Sequence, residues 1–272
     1  MFKKSLLTIA FIALTNISLV KAQHFTHDVG FFAGTSVMQT DFGERNNFKS
    51  NFGNIGASFS LVHYLHFFNK SLRWNANDEL LNKIAIKSEF NYISTSLRHH
   101  GKEANDPDIG GAQLRAMIGK NSILNLGLSL EYYFNDLSQF IHPYSDEKFN
   151  PYVTFGIRYA LYNNTIESSY GSGYNSGADG NNPAVGVLPS KYYQTDALKT
   201  GSGGALGFIL GVGTRYKLTE KLDLAGQFNW QVFLSDAVDA LQVKELANKN
   251  NEWLFNFQIG VIYHLNFAEP LF

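Results

Sequence analysis

From Trp253 to Phe267 the chain reads WLFNFQIGVIYHLNF. Trp253, Phe255, Phe257, Ile259, Val261, Tyr263, Leu265 and Phe267 make one alternate set, wholly apolar or aromatic. Leu254, Asn256, Gln258, Gly260, Ile262, His264 and Asn266 make the other, mostly polar or small. Period-two alternation is the mark of a strand whose two faces meet different surroundings. An unbroken run of this length is well beyond an ordinary strand of about five or six residues. It demands a sheet that is greasy on one side and wet on the other over a long span.

The pattern recurs. In Leu222–Leu234, Phe228 and Trp230 stand opposite Asp223, Gln227, Asn229 and Gln231. In Leu206–Leu218, Phe208 and Leu210 oppose Gly207, Gly211, Arg215 and Lys217. In Pro151–Tyr162, Phe155 and Ile157 oppose Gly156 and Arg158, and in Ile123–Phe134, Leu126 and Leu128 oppose Gly127 and Glu131. Looser versions cover His27–Thr40, Gly53–Phe67 and Ile84–Leu97, the last setting Lys87, Glu89 and Asn91 against Ile86, Phe90 and Tyr92. The count is eight, an even number, as in single-chain bacterial outer-membrane barrels. The connections alternate in length: about 41–52, 98–122, 163–205 and 235–252 on one side, and 68–83, 135–150 and 219–221 on the other.

A soluble sandwich alternates as well, but its polar face carries many charges. Here only 17% of residues are charged, while 15% are aromatic. Across the last five segments the apolar face has no charge, and the opposite face dilutes its few charges with Gly, Asn and Gln. Small inward residues suit a narrow eight-stranded lumen, and aromatics near strand ends suit headgroup girdles. The expected fold is all-β, an eight-stranded antiparallel transmembrane β-barrel with long extracellular loops. Leu126, Leu128, Phe155, Ile157, Phe208, Leu210, Phe228, Trp230, Phe257, Ile259 and Val261 are expected to face lipid. Lys87, Glu89, Glu131, Arg158, Arg215 and His264, with His66 beside them, are expected to pair inside the lumen, because an unpaired buried charge costs several kcal/mol.

Residues 1–22 read as a cleavable leader: Lys3 and Lys4, then an apolar run from Leu6 to Leu14, then Val20-Lys21-Ala22. The barrel domain is then 23–272, in the cell outer membrane. Losing the leader removes three lysines and no acid, leaving a net charge of −4 and nothing that suggests nucleic acid. With no cysteine, thiolate chemistry and lipoprotein attachment are out. There is no G-x-S-x-G, H-E-x-x-H or phosphate-binding loop, so no catalytic, cofactor or metal site is expected. His99 and His100 beside the second long loop, His142 in a turn and His63 on an outer face read as incidental. The Gly/Ser/Asn-rich stretch Tyr170–Asn182 reads as a mobile loop, and Ala237–Ala247 reads as a short helix.

The stretches TDFGERNNFKSNFGNIG (Thr40–Gly56), VHYLHFF (Val62–Phe68), SEFNYISTSLRHHGK (Ser88–Lys102), GAQLRAMIGKNSILNLG (Gly111–Gly127) and GTRYKLTEKLDL (Gly213–Leu224) carry a resemblance. The chain resembles small outer-membrane barrels of Bacteroidota, distantly PorG-like and associated with type IX secretion. The resemblance implies an eight-stranded barrel and a periplasmic protein partner at the inner turns, to be tested by crosslinking from Trp74 or Tyr144. The expected role is structural or interactive within the envelope, in contact with outer-membrane lipid and lipopolysaccharide. Two alternatives stand beside it: a small polar-solute channel, and a lipid A-modifying enzyme with a rim His–Ser pair.

Overall fold

The computed structural model describes residues 24–43, 48–68, 78–142, 145–194, 197–235, 238–241 and 252–265. The expected leader, Trp74, Tyr144 and most of the expected 237–247 helix lie outside them. Eight long strands run β1 His24–Gln39, β2 Ile55–Phe68, β3 Ile84–Arg98, β4 Met117–Tyr133, β5 Phe149–Ser168, β6 Gly201–Lys217, β7 Leu222–Phe233 and β8 Trp253–His264. Each pairs antiparallel with its chain neighbour, and β8 pairs with β1, so the sheet closes on itself. Closure removes every free edge, which a wall in hydrocarbon requires. No helix among the described residues is long and apolar enough to cross a membrane.

Register fixes the shape. A walk perpendicular to the strands from Leu222 passes Tyr263, Val29, His63, Ser88, Leu128, Ile157 and Phe208 and returns to the same strand at Val232. That stagger of ten residues over eight strands tilts them by roughly 40°. Ten tilted residues rise about 25 Å, the height of an outer-membrane apolar band.

Side chains alternate as this wall requires. Leu126, Leu128, Phe155, Ile157, Phe208, Leu210, Phe228, Phe257, Ile259 and Val261 all point outward and are exposed, Phe155 by 59%. Trp230 also points outward but is half-buried, edge-on to Trp253 at 5.2 Å and stacked on Phe255 at 6.4 Å. Inward glycines make room for large lumen residues: a Cβ on Gly213 would meet the Tyr152 ring at 2.3 Å, and one on Gly260 the Phe32 ring at 2.5 Å.

Two expectations change. Strands β4, β5 and β6 start or end five or six residues beyond the alternating segments, rising above the belt. The loop that holds the expected mobile stretch, Tyr170–Asn182, is anchored at Tyr174 within that stretch and by buried residues beyond it. Tyr174–Asn175 pairs with the end of β5, and Tyr174, Val187, Leu188, Tyr192, Ala197 and Leu198 are buried. Their partners are apolar residues inside the mouth of the barrel, among them Met38, Ile93, Leu97, Met117, Ile123, Ile166, Phe233 and Leu254. Val238, Ala240 and Leu241 from the last loop join the same cluster. Burying this apolar surface, at about 25 cal/mol per Å², opposes the entropy of a glycine-rich chain. Ala240 holds the left-handed φ of 75°, a conformation tolerated where packing over-determines it.

Candidate functional site

The lumen is where the unusual chemistry sits. All six expected lumen residues, Lys87, Glu89, Glu131, Arg158, Arg215 and His264, are buried within the ring. The fold sorts them into tiers. Nearest the end with the short turns, Asp28 of β1 is the hub. It accepts from Arg215 Nη1 at 3.0 Å and lies 2.6 Å from His66 Nε2 and 2.8 Å from His264 Nδ1. The other His264 nitrogen lies 3.2 Å from Asp223, so both ring nitrogens face carboxylates, a geometry that the doubly protonated imidazolium satisfies at both ends. The Arg215 guanidinium lies 4.3 Å over the Tyr64 ring and 5.2 Å from that of Tyr133.

Further in, Lys87 pairs with Glu131 at 2.7 Å and donates to Gln227 at 3.1 Å, while Tyr133 Oη donates to Glu131 at 2.6 Å. Next, Arg158 pairs with Glu89 at 2.6 Å and donates to Gln231 at 3.2 Å. An amide and hydroxyl layer then crosses the lumen. Gln258 donates to Ser58 and Ser60, Gln227 to Gln258, Asn125 to Asn91, and Gln231 to Asn125, at 2.8–3.0 Å. Arg215, Lys87 and Arg158 each meet a carboxylate, as low-dielectric burial requires. The charge tiers are therefore occupied by one another rather than arrayed around a vacant path.

Asp28 and Tyr64 belong to this assembly but escape the sequence reading. Asp28 stands in the least regular alternation, DVGFFAG, where inward Gly30 and Gly34 blur the polar face. The signal that could have found it is a lone acid one residue from His27, at the phase of a strand interior.

The remaining histidines lie elsewhere. His63 and His27 face outward and stack, with ring nitrogens 3.0 Å apart. His99 is buried under the loop-end cap, where Nδ1 accepts the Gly43 N–H at 3.0 Å and the ring packs on Phe42 at 4.7 Å. Burial, helped by the charges of Lys191 and His100, pushes its pKa down to about 3. His100 receives the Ser50 hydroxyl on its carbonyl oxygen, not its ring. The carbonyl of His142 accepts from Lys217 Nζ. Among the described residues, no group of three or more acids and histidines is placed to hold a metal.

No protein-family model matches the chain, and no curated protein matches it. Solved structures do. A major outer-membrane protein of Thermus thermophilus is similar at 14% identity and TM-score 0.45, over 88% of this chain and 98% of that one. Neisserial surface protein A is similar at 12% identity and TM-score 0.41, over 87% and 96%. Ail, the attachment invasion locus protein of Yersinia pestis, solved with the heparin analogue sucrose octasulfate, is similar at 10% identity and TM-score 0.40, over 89% and 98%. At these values the likenesses carry no argument about role; the closed eight-stranded antiparallel barrel rests on its own pairing.

Proposed function

We propose that this chain is an outer-membrane barrel with a shut lumen, serving as a structural or interaction element of the envelope. The observation that carries the reading is the double closure. Ion pairs, amides and buried rings such as Phe32, Tyr64, Tyr133 and Tyr152 fill the lumen at the turn end, and an apolar cap of strand and loop residues fills it at the loop end. The uncharged outer belt, about 25 Å tall by register, supports placement in hydrocarbon. Both ends of the strand region, His24 and His264, lie at the end with the short turns, which supports a periplasmic position for that end and an external one for the loops.

The reading is non-enzymatic, because the side chains able to move protons in the lumen are tied to each other. Its finer form is a periplasmic docking surface at the inner turns, such as a type IX secretion assembly would offer. It has one supporting feature: the turn 134–148 carries a helix, Leu137–Ile141, capped by Asp136. The test is planar-bilayer conductance of the purified protein. A shut barrel gives no steady current step. Steady steps that change on substituting Arg158 or Arg215 would replace this reading with a solute channel.

A further inference from the structure

Between β1 and β2, Phe48–Phe52 forms a short helix. Its two phenylalanine rings stack with centroids 4.6 Å apart, and both are exposed, Phe48 by 74%. Exposed aromatics on a loose loop would be unremarkable, but this helix is clamped. Buried Ser50 donates to the His100 carbonyl at 3.1 Å. Buried Asn54 accepts the Arg98 N–H at 2.9 Å and donates to the Arg98 carbonyl at 3.1 Å. Gly53 sits so close to the end of β3 that a Cβ would lie 3.1 Å from the His100 ring. Buried hydrogen bonds thus fix the exposed aromatic pair at the loop-end rim.

Below the aromatic pair, Ile55 and Phe59 on the outer face of β2 are exposed and continue the apolar belt up to the rim. Exposed cations share this rim: Lys49 on the helix itself, and Arg98, whose backbone is held by Asn54 at the end of the helix. The nearby Glu103 is engaged by Lys191 at 3.7 Å. Exposed rings next to cations complement an acylated lipid that carries phosphate at its headgroup. A zwitterionic phospholipid fits less well, because its amine would meet Lys49 and Arg98.

We propose that this rim patch docks one phosphorylated, multiply acylated glycolipid of the outer leaflet, of the lipid A type. Phe48 and Phe52 lie against its acyl chains, and Lys49 and Arg98 against its phosphates. The proposal rests on the outer-membrane reading and names a ligand site within it.

The test uses the mature barrel refolded in detergent and offered purified lipid A, with native mass spectrometry counting bound lipid. Wild type is expected to retain one lipid A. Lys49→Glu with Arg98→Glu, and separately Phe48→Ser with Phe52→Ser, are expected to weaken retention roughly tenfold or more. Lys120→Glu, which breaks only the exposed Lys120–Glu167 pair on the neighbouring rim, is expected to leave it unchanged. Should charge reversal block folding, Lys49→Gln with Arg98→Gln carries the same test. Unchanged lipid A retention in the variants, or equal retention of a zwitterionic phospholipid by wild type, overturns the site. The heat-dependent gel shift of the same samples reports the barrel separately. A normal shift with unchanged retention removes the site and leaves the barrel, and failure to insert into any bilayer removes both.

Discussion

Both halves of one lumen hold a buried apolar cluster, but only the turn end threads charge pairs through it. At the turn end the wall surrounds Asp28, Asp223, Arg215, His264, Lys87 and Glu131, each dependent on a named partner. At the loop end it surrounds Met38, Ile93, Leu97, Ile123 and Leu254, which need only close neighbours. The difference lies in what each half can recruit. At the turn end the connection 134–148 supplies Leu137 and Phe140, which pack with Phe32, Tyr64, Tyr133 and Tyr152 beside the charges, so the polar groups there satisfy one another among aromatic rings. The long loops deliver Val187, Leu188, Tyr192 and Leu198, which let the upper half be sealed as an ordinary core. Charge pairs specify geometry and punish deletion of a partner, whereas an apolar cluster tolerates trimming in proportion to the volume lost.

That contrast can be broken or sharpened by measurement. The largest effect is expected from Arg215→Met. It leaves Asp28 and Asp223 short of a permanent cation and should cost ~3–5 kcal/mol in urea unfolding from vesicles. A cost below that of a trimmed apolar residue would erase the distinction between the halves. Outside the wall, Leu210→Arg should cost ~2–4 kcal/mol by the same assay, since the belt meets lipid at that depth.

In the cap, Leu188→Ala should cost about 2 kcal/mol, towards the lower end for such truncations because loops can settle. Its signature should be faster proteolysis of the loops with the barrel's gel shift intact; simultaneous loss of both would mean that the halves unfold as one. The smallest effect is expected from acid. The unfolded chain protonates His99 near its usual 6.5, while the cap holds it neutral down to about 3. Unfolded molecules therefore bind the extra proton in that window, and the cap loses stability as pH falls through it. Loop proteolysis should rise from pH 7 to pH 5 and flatten in His99→Gln; an unaltered slope in that variant would assign the acid response to another group.

Alternation made the strands of the belt legible, together with the side of the wall on which Lys87, Glu89, Glu131, Arg158, Arg215 and His264 lie. It could not supply who pairs with whom, because that depends on stagger, which no single strand encodes. It also failed above the belt, for a physical reason. In β4 and β5 the in-out phase continues unbroken to Met117 and Ser168, but the polarity inverts. Outward Lys120 and Glu167 bridge at 2.7 Å in water, while inward Met117 and Ile166 are buried. A reading that equates apolar with outward ends each strand where the surrounding medium changes. The cap was hidden by composition: nine glycines, serines and asparagines from Tyr170 to Asn182 obscured a few widely spaced anchors such as Tyr174 and Leu188.

Asp28 comes from the first strand, while Arg215, Asp223 and His264 come from the last three. Asp28 and His264 are 236 positions apart in the chain. A nascent polypeptide thus carries an acid on its first strand that can meet His66 early but meets Arg215 and His264 only when the last three strands arrive. Fragments lacking either terminus would leave an orphaned charge at the seam, so assembly of this cylinder is settled at its last stitch.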